Sequence, residues 1–308
     1  MANRKTRKNR LEPLESRHLL AAVVEGGDLV VDPESSEIAI VDLGDGTLEV
    51  TETGAAEDGT DLVTIVEGVE DDIIIRTSEE SADNISLDLS AGSVAVDDVR
   101  VAASDGDNVF ALIGGTIDGD LRYRGGGGTD SLNIGQDVQI GGHLSARLGD
   151  GSNTVELAGQ VDGGVFVRGG SDDDTIALLA ESLVGRGVKL SLGEGTNSTN
   201  LDGTIDGRLG YRGGDDNDLV TLGSESTIGD DTRLRLGEGE NQVMVDGLIG
   251  GDLAIQSTNE DDVVEISDDA EIVGDTDLGL GEQTEEESRR GRRRGRGIGR
   301  GFFGRGRR

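Results

Sequence analysis

Aspartate and asparagine residues recur at a fixed spacing along the middle of the chain, and their side-chain oxygens are ligands that hard cations prefer. The aspartates are 44 residues apart, at Asp130, Asp174, Asp218 and Asp262. Asparagines lie between these aspartates and are also 44 residues apart, at Asn153, Asn197 and Asn241. If a repeating fold stacks these positions, their oxygens form a column. The pattern therefore predicts either a row of cation sites or a row of hydrogen-bonded turns.

The two registers interleave, so the basic repeat is about 22 residues long and is used in two alternating versions. Apolar residues mark the same unit with separations that alternate between 23 and 21. These residues are Ile117, Ile140, Val161, Val184, Ile205, Ile228, Ile249 and Ile272. Consecutive units without insertions are typical of a solenoid, in which each repeat buries its apolar side against the next.

Each unit consists of short runs in which apolar and polar residues alternate, such as LRYR at 121–124, SLNI at 131–134 and VFVR at 165–168. A period of two indicates strands, and glycine, aspartate and asparagine favour the turns between them. We predict an all-β fold, a parallel β-solenoid (β-helix or β-roll) with two or three strands per coil. Because only 2% of residues are aromatic, its interior must consist of valine, isoleucine and leucine.

Charge divides the chain into zones. Residues 21–288 carry 12 basic and 61 acidic side chains, a formal charge of −49, between two basic termini. We predict a basic, targeting-like segment at 1–22, degenerate coils or an N-terminal cap at 23–112, the regular solenoid at 113–285 and a disordered arginine/glycine-rich tail at 286–308. Self-repulsion in the acidic body predicts that bound cations stabilise it.

The segment GGGGTDSLN at 125–133 fits the pattern G-G-x-G-x-D-x-U-x and resembles the calcium-binding nonapeptides of RTX proteins. The resemblance implies Ca²⁺ bound between turns of successive coils. The candidate ligands are Asp130, Asp150, Asp172, Asp174, Asp216 and Asp218. Later units depart from the motif, with Asp172 and Asp216 in place of its fourth glycine. The alternative is a structural ladder in which aspartate and asparagine bond the local backbone without metal.

The segment RLEPLESRHLLAA at 10–22 resembles the LEPR-XLL motif of secreted or surface proteins from planctomycete bacteria. The resemblance implies an extracellular or envelope location. Its longest apolar stretch, Leu19–Val24, is shorter than the core of a Sec signal peptide. We predict no transmembrane segment.

The C-terminal stretch 289–308 contains ten arginines, no acid, and the pair Phe302–Phe303. It resembles RGG segments, which bind RNA through phosphate contacts and stacking. The acidic body competes with nucleic acid for such a tail. We therefore predict as partners anionic components of the cell envelope or other copies of the same chain, ahead of nucleic acid.

Catalysis finds little support in the sequence, which has two histidines and no cysteine. His143 falls at a repeat position held elsewhere by Asp120 and Arg208, so we interpret it as a solvated surface residue. Tyr123 and Tyr211 look like decoration of the coil rather than a sugar-binding platform. The sequence predicts a non-enzymatic, secreted or cell-surface protein with a structural or adhesive role. The alternatives are a carbohydrate-active β-helix enzyme and a filament-forming scaffold similar to bactofilins.

Overall fold

The computed structural model describes residues 22–56, 58–77 and 82–281. Within these ranges the chain forms thirty β-strands and no helix. The strands before the most regular part are β1 (Ala22–Glu25), β2 (Asp28–Val31), β3 (Glu37–Asp42), β4 (Thr47–Glu52), β5 (Leu62–Glu67), β6 (Ile73–Arg76), β7 (Asn84–Asp88), β8 (Val99–Ala102) and β9 (Val109–Ile117).

Each later coil contributes one strand to each of three faces. After β2, β6 and β8, face 1 contains β10 (Leu121–Arg124), β12 (Leu144–Arg147), β15 (Val165–Arg168), β18 (Val188–Ser191), β21 (Leu209–Arg212), β24 (Thr232–Gly237), β27 (Leu253–Ser257) and β30 (Thr276–Gly279).

After β3, β7 and the first half of β9, face 2 contains the first half of β11 (Ser131–Ile140), then β13 (Thr154–Leu157), β16 (Thr175–Leu178), β19 (Ser198–Leu201), β22 (Leu219–Leu222), β25 (Gln242–Val245) and β28 (Val263–Ile266). Face 3 continues from the second halves of β9 and β11 with β14 (Gln160–Val161), β17 (Leu183–Val184), β20 (Thr204–Ile205), β23 (Thr227–Ile228), β26 (Leu248–Ile249) and β29 (Glu271–Ile272).

Strands of successive coils pair in parallel and in register, which confirms the predicted β-solenoid. On face 1, Leu121 pairs with Leu144 and Leu144 pairs with Val165. The separations of these pairs along the chain, 23 and then 21, are the alternating period of the sequence. Each regular coil has three strands, which agrees with the prediction of two or three strands per coil.

Valine, isoleucine and leucine fill the interior, as the composition predicts; Leu121, Leu132 and Ile140, from the three faces of one coil, are fully buried. Two tyrosines join them. Tyr123 and Tyr211 are each only 2% exposed, and Tyr123 stacks on Phe110 with ring centroids 6.2 Å apart. Their interpretation as coil decoration was wrong, because Tyr123 has the same strand parity as Leu121 and therefore points inward. Tyr123 and Tyr211 are called the interior tyrosines below.

Antiparallel strands lie at the N-terminal end of the stack. Strand β1 pairs antiparallel with β2, while β4 pairs antiparallel with both β3 and β5. The parallel ladder starts beside them, where β2 meets β6 and β3 meets β7. These strands cover edges that a parallel stack would otherwise leave unpaired at this end. Across the described ranges, no helix has the length and hydropathy needed to span a membrane.

Candidate functional site

One side chain from each coil is buried at the corner between faces 1 and 2, and these side chains stack into a single column. Aspartate and asparagine alternate along it, and none is more than 8% exposed. In chain order the column contains Asp83, Asn108, Asp130, Asn153, Asp174, Asn197, Asp218, Asn241 and Asp262. The aspartates and asparagines that recur separately in the sequence therefore lie in one column, called the buried polar ladder below.

Hydrogen bonds join each rung of this ladder to the next coil. Oδ1 of Asp174 accepts from the backbone N–H of Asn153 at 3.2 Å and from its Nδ2 at 2.9 Å. The backbone N–H of Asp174 donates to Oδ1 of Asn197 at 3.0 Å. Because a carboxylate only accepts and a primary amide can donate twice, alternation places a donor beside each acceptor.

Glycine makes room for each central carboxyl of the buried polar ladder. Five residues before Asp130, Asp174 and Asp218 the chain has Gly125, Gly169 and Gly213. A Cβ atom at these glycines would lie 1.7 to 1.8 Å from Oδ2 of the corresponding aspartate. In the asparagine coils the same position holds a buried leucine: Leu148, Leu192 or Leu236. Two kinds of coil therefore alternate, and each kind recurs every 44 residues.

In three ladder aspartates, Asp130, Asp174 and Asp218, Oδ2 has no hydrogen-bond partner among the described residues. Burial raises the pKa of all three carboxyls, and that of Asp174 to about 6. The hydroxyls of the interior tyrosines partly oppose this rise at Asp130 and Asp218, although they make no regular hydrogen bond there. Val167 occupies the equivalent position beside Asp174 and offers no hydroxyl.

The raised pKa values predict that the folded protein is more stable at about pH 5 than at about pH 7.5. A carboxyl with a higher pKa in the folded state binds its proton more tightly there, so stability falls as the pH rises from about 4 to about 6. For Asp174, with a pKa moved from 3.8 to about 6, the difference between the two conditions is roughly 1 kcal/mol. Thermal melting of the full chain at both pH values measures the difference. The Asp174→Asn variant should show a smaller one, and an unchanged difference would contradict this assignment.

The predicted calcium ligands are not gathered into one shell. Asp172 and Asp216 lie in exposed turns, where their Oδ2 atoms accept backbone N–H groups of the preceding coil at 2.9 and 3.0 Å. Asp150 accepts the hydroxyl of Ser171 at 3.1 Å. The buried carboxyls of Asp130 and Asp174 are two coils apart, about 9.6 Å along the axis.

Ca²⁺ requires six to eight oxygen ligands in one shell. Within the described ranges, no three or more histidine, cysteine, aspartate or glutamate side chains form a group able to hold a metal ion. Hydrogen bonds from a neighbouring coil occupy Oδ1 of Asp130, Asp174 and Asp218. Calcium binding stays a prediction from the sequence resemblance alone.

A second column of side chains lies at the corner between faces 3 and 1. Oδ1 of Asp98 accepts the backbone N–H of Asp120 at 2.7 Å, and Oδ1 of Asp120 accepts that of His143 at 2.7 Å. His143 continues the column, since its Nδ1 accepts the backbone N–H of Gly164 at 2.7 Å. Its ring also contacts Phe166 edge-on, with centroids 5.5 Å apart. His143 is half-buried and supports a turn, in contrast to the solvated residue that we inferred from the sequence.

All 12 basic residues between positions 21 and 288 lie on face 1 or in the turns that lead into it. The strands of face 1 carry Arg76, Arg100, Arg122, Arg124, Arg147, Arg168, Lys189, Arg212, Arg233 and Arg235. The turns before β18 and β21 carry Arg186 and Arg208. All of these side chains are exposed except that of Arg100, which is half-buried. We call this surface the basic face.

Only a minority of these cations have partners in the described protein. The ion pairs join Arg76 to Asp32, Arg100 to Asp72 and Asp98, Arg122 to Asp98 and Asp120, and Arg208 to Asp230 and Asp231. Eight others make no ion pair or side-chain hydrogen bond with any described residue. They are Arg124, Arg147, Arg168, Arg186, Lys189, Arg212, Arg233 and Arg235. Like charges opposite each other on paired strands repel, so this arrangement is unfavourable until an anion lies between them.

The basic face is grooved. One depression of about 830 Å³ is lined by Arg186, Lys189, Arg212 and Arg233 among others. A second of about 740 Å³ adjoins it, with Arg147 and Arg168 in its lining. The groove is open to solvent and elongated along the axis, because residues from several successive coils line each depression. It can accommodate an extended anionic chain.

The sequence contained a signal for the basic face that our sequence reasoning missed. Five arginines follow the apolar period, at successive separations of 23, 21, 44 and 23. They are Arg124, Arg147, Arg168, Arg212 and Arg235, called the arginine column below.

No protein-family model matches the chain, and neither do any of the curated proteins or solved structures with which it was compared.

Proposed function

We propose that this protein is a non-enzymatic structural and adhesive element, located outside the cell or on its envelope, that attaches to anionic polymers through its basic face. The eight cations of that face that pair with no described residue carry the proposal. They are concentrated on one side of a body whose formal charge is −49. Such a separation of charge orients the solenoid, since an anionic surface attracts face 1 and repels the acidic turns.

The ladder architecture supports a structural role. Each coil is joined to its neighbours by three ladders of parallel strands and by the hydrogen bonds of the buried polar ladder. A stack of this kind holds its surface groups at a fixed spacing along the axis. The extracellular or envelope location rests on the LEPR-XLL resemblance at 10–22, which lies almost entirely outside the described residues, as does the arginine/glycine-rich tail.

The filament alternative is less compatible with the N-terminal end of the stack. The antiparallel strands β1, β4 and β5 interrupt the parallel ladder there. A second solenoid would need a parallel edge to continue the stack. Attachment along the side of the solenoid, through face 1, requires no change at either end.

Retention on a sulfonate cation-exchange resin tests attachment through the basic face. The reference protein is the full chain in which all basic residues of 1–20 and 289–308 are replaced by glutamine, so that neither terminus contributes to binding. We expect it to be retained at low salt despite its strongly negative net charge. A variant of it with the five residues of the arginine column changed to glutamine should pass through the resin.

The control for this variant makes the chain five charges more negative on the other faces. It carries glutamate at Gln139, Thr175, Thr204, Thr221 and Gln242, which lie on faces 2 and 3. Its net charge equals that of the arginine-column variant, yet it should be retained like the reference protein. Equal behaviour of the two variants, or no retention of the reference protein, would refute attachment through this face.

A further inference from the structure

We propose that the basic face binds a linear anionic polysaccharide, with carboxylate or sulfate groups, that runs along the solenoid axis; this rests on the proposed function of the same face. The arginine column supplies the repeat. In-register pairing connects its members, and Ser191 fills the one gap between Arg168 and Arg212. At about 4.8 Å per coil, the column is about 24 Å long. An extended chain of pyranose sugars advances by a similar distance per residue, so successive acidic groups can meet successive guanidinium groups.

The chemistry of the column suits carboxylate and sulfate. A guanidinium group donates two parallel hydrogen bonds to such planar or tetrahedral oxyanions. Small residues lie among the cations on the same strands, at Ser145, Ser191, Gly210 and Ala254. They leave space between the long side chains in which a sugar ring can sit, and the two serines offer hydroxyls to it.

The width of the basic face favours a thin ligand. Each strand of face 1 has two outward side chains, which are two residues apart along the strand, or about 7 Å. Acidic turns border the face on both sides, with Asp231 and Asp252 at one edge and Asp150, Glu194 and Asp215 at the other. A single polysaccharide chain fits between these edges. A nucleic-acid duplex carries phosphates around its whole circumference and would bring them against the acidic turns.

Aromatic side chains are scarce on the face. Single-stranded nucleic acids bind to rows of aromatic rings on which their bases stack. Among the outward positions of the described strands of face 1, Phe166 is the one aromatic residue; it is 43% exposed and held against His143. One ring can support one sugar but no stack of bases. The acidic turns of a second copy are a weaker alternative, because two bodies of this charge repel each other.

Binding of defined polymers to the termini-neutralised reference protein tests the proposal. The probes are polygalacturonate for carboxylate, dextran sulfate for sulfate, neutral dextran, poly-uridylate and duplex DNA, each at the same low salt. We expect one or both anionic polysaccharides to bind, and the arginine-column variant to bind the same polymer about 50-fold more weakly. Galacturonate oligomers should gain affinity until they span the column, at about five or six sugars, because shorter chains contact fewer arginines.

Other results would overturn the polysaccharide assignment. Tighter binding of poly-uridylate or DNA than of both anionic polysaccharides would indicate a nucleic-acid site. Failure of all polymers to bind would also overturn the polysaccharide assignment. If the resin still distinguishes the arginine-column variant from its control, that result would leave attachment through the basic face intact. An unchanged affinity of the arginine-column variant for the bound polysaccharide would place its site elsewhere.

Discussion

Replacing Gly169 by alanine is expected to destabilise the solenoid by about 3 to 5 kcal/mol, although it adds a single methyl group. The new Cβ atom would lie 1.7 Å from Oδ2 of Asp174 and 2.6 Å from the carbonyl oxygen of Leu192. The carboxyl cannot retreat without losing its two bonds from Asn153, since these bonds hold Oδ1. Its displacement therefore leaves buried donors without partners, which is the costly outcome.

The measurement is chemical or thermal unfolding of the full chain, together with hydrogen exchange of the coils around residues 165–201. Exchange is informative because repeat proteins can open locally when one interface is weakened. The matched control is Gly210→Ala, where the nearest atom to the added Cβ is the carbonyl oxygen of Val188 at 4.0 Å. The control should change stability by no more than about 0.5 kcal/mol.

A double-mutant cycle identifies the cause of the loss. In the Asp174→Ala background the carboxyl is absent, so Gly169→Ala should cost much less than it does in the native chain. The same cost in both backgrounds would mean that the methyl group clashes with the backbone of Leu192 and that the carboxyl is irrelevant. A native-like stability of Gly169→Ala alone would show that the buried aspartate has room to move.

The fold was predictable because periodicity alone determines it. A spacing that alternates between 23 and 21, maintained from Ile117 to Ile272, leaves few ways to bury the apolar side other than parallel stacking. The column of Asp130 and Asn153 was equally visible, since both residues keep the same interval. What the spacing does not show is that these side chains are buried and that Asn108, in the neighbouring coil, donates two hydrogen bonds to Oδ1 of Asp130.

Two other features, the basic face and the contact between Gly169 and Asp174, could not be predicted without knowing how the strands and turns lie against each other. Leu121 and Tyr123 point inward while Arg122 and Arg124 point outward, so one four-residue strand supplies both the core and the basic face. Alternation within one run predicts a strand, whereas the basic face becomes apparent only when the outward residues of successive strands are aligned in register. Gly169 keeps a constant spacing of five residues from Asp174, but the spacing does not show that the two are in contact across the turn.

Converting Asn197 to aspartate is expected to cost about 3 to 5 kcal/mol at about pH 7.5, although the two side chains have nearly the same shape. Nδ2 of Asn197 donates to Oδ1 of Asp218 at 3.0 Å and to the carbonyl of Gly195 at 2.9 Å. A carboxylate in its place would present an acceptor to both. Three consecutive rungs of the buried polar ladder, at 174, 197 and 218, would then carry negative charge.

The loss should shrink as the pH falls toward about 5, because two buried carboxyls in contact can share a proton where two carboxylates repel. Urea unfolding of the variant and the native chain at both pH values measures this change. Gln242→Glu is the matched control, since it makes the same amide-to-acid change at an exposed position flanked by Leu219 and Val263. It should cost no more than about 0.5 kcal/mol at either pH.

A loss for Asn197→Asp that equals that of the control would mean that the ladder tolerates charge at every rung. Alternation of acid and amide would then need another explanation. A large loss that does not depend on pH would indicate that the missing N–H donor, and not the added charge, is what the fold cannot accept. The expected loss that shrinks at low pH would identify charge spacing along the buried polar ladder as the reason that the chain repeats every 44 residues and not every 22.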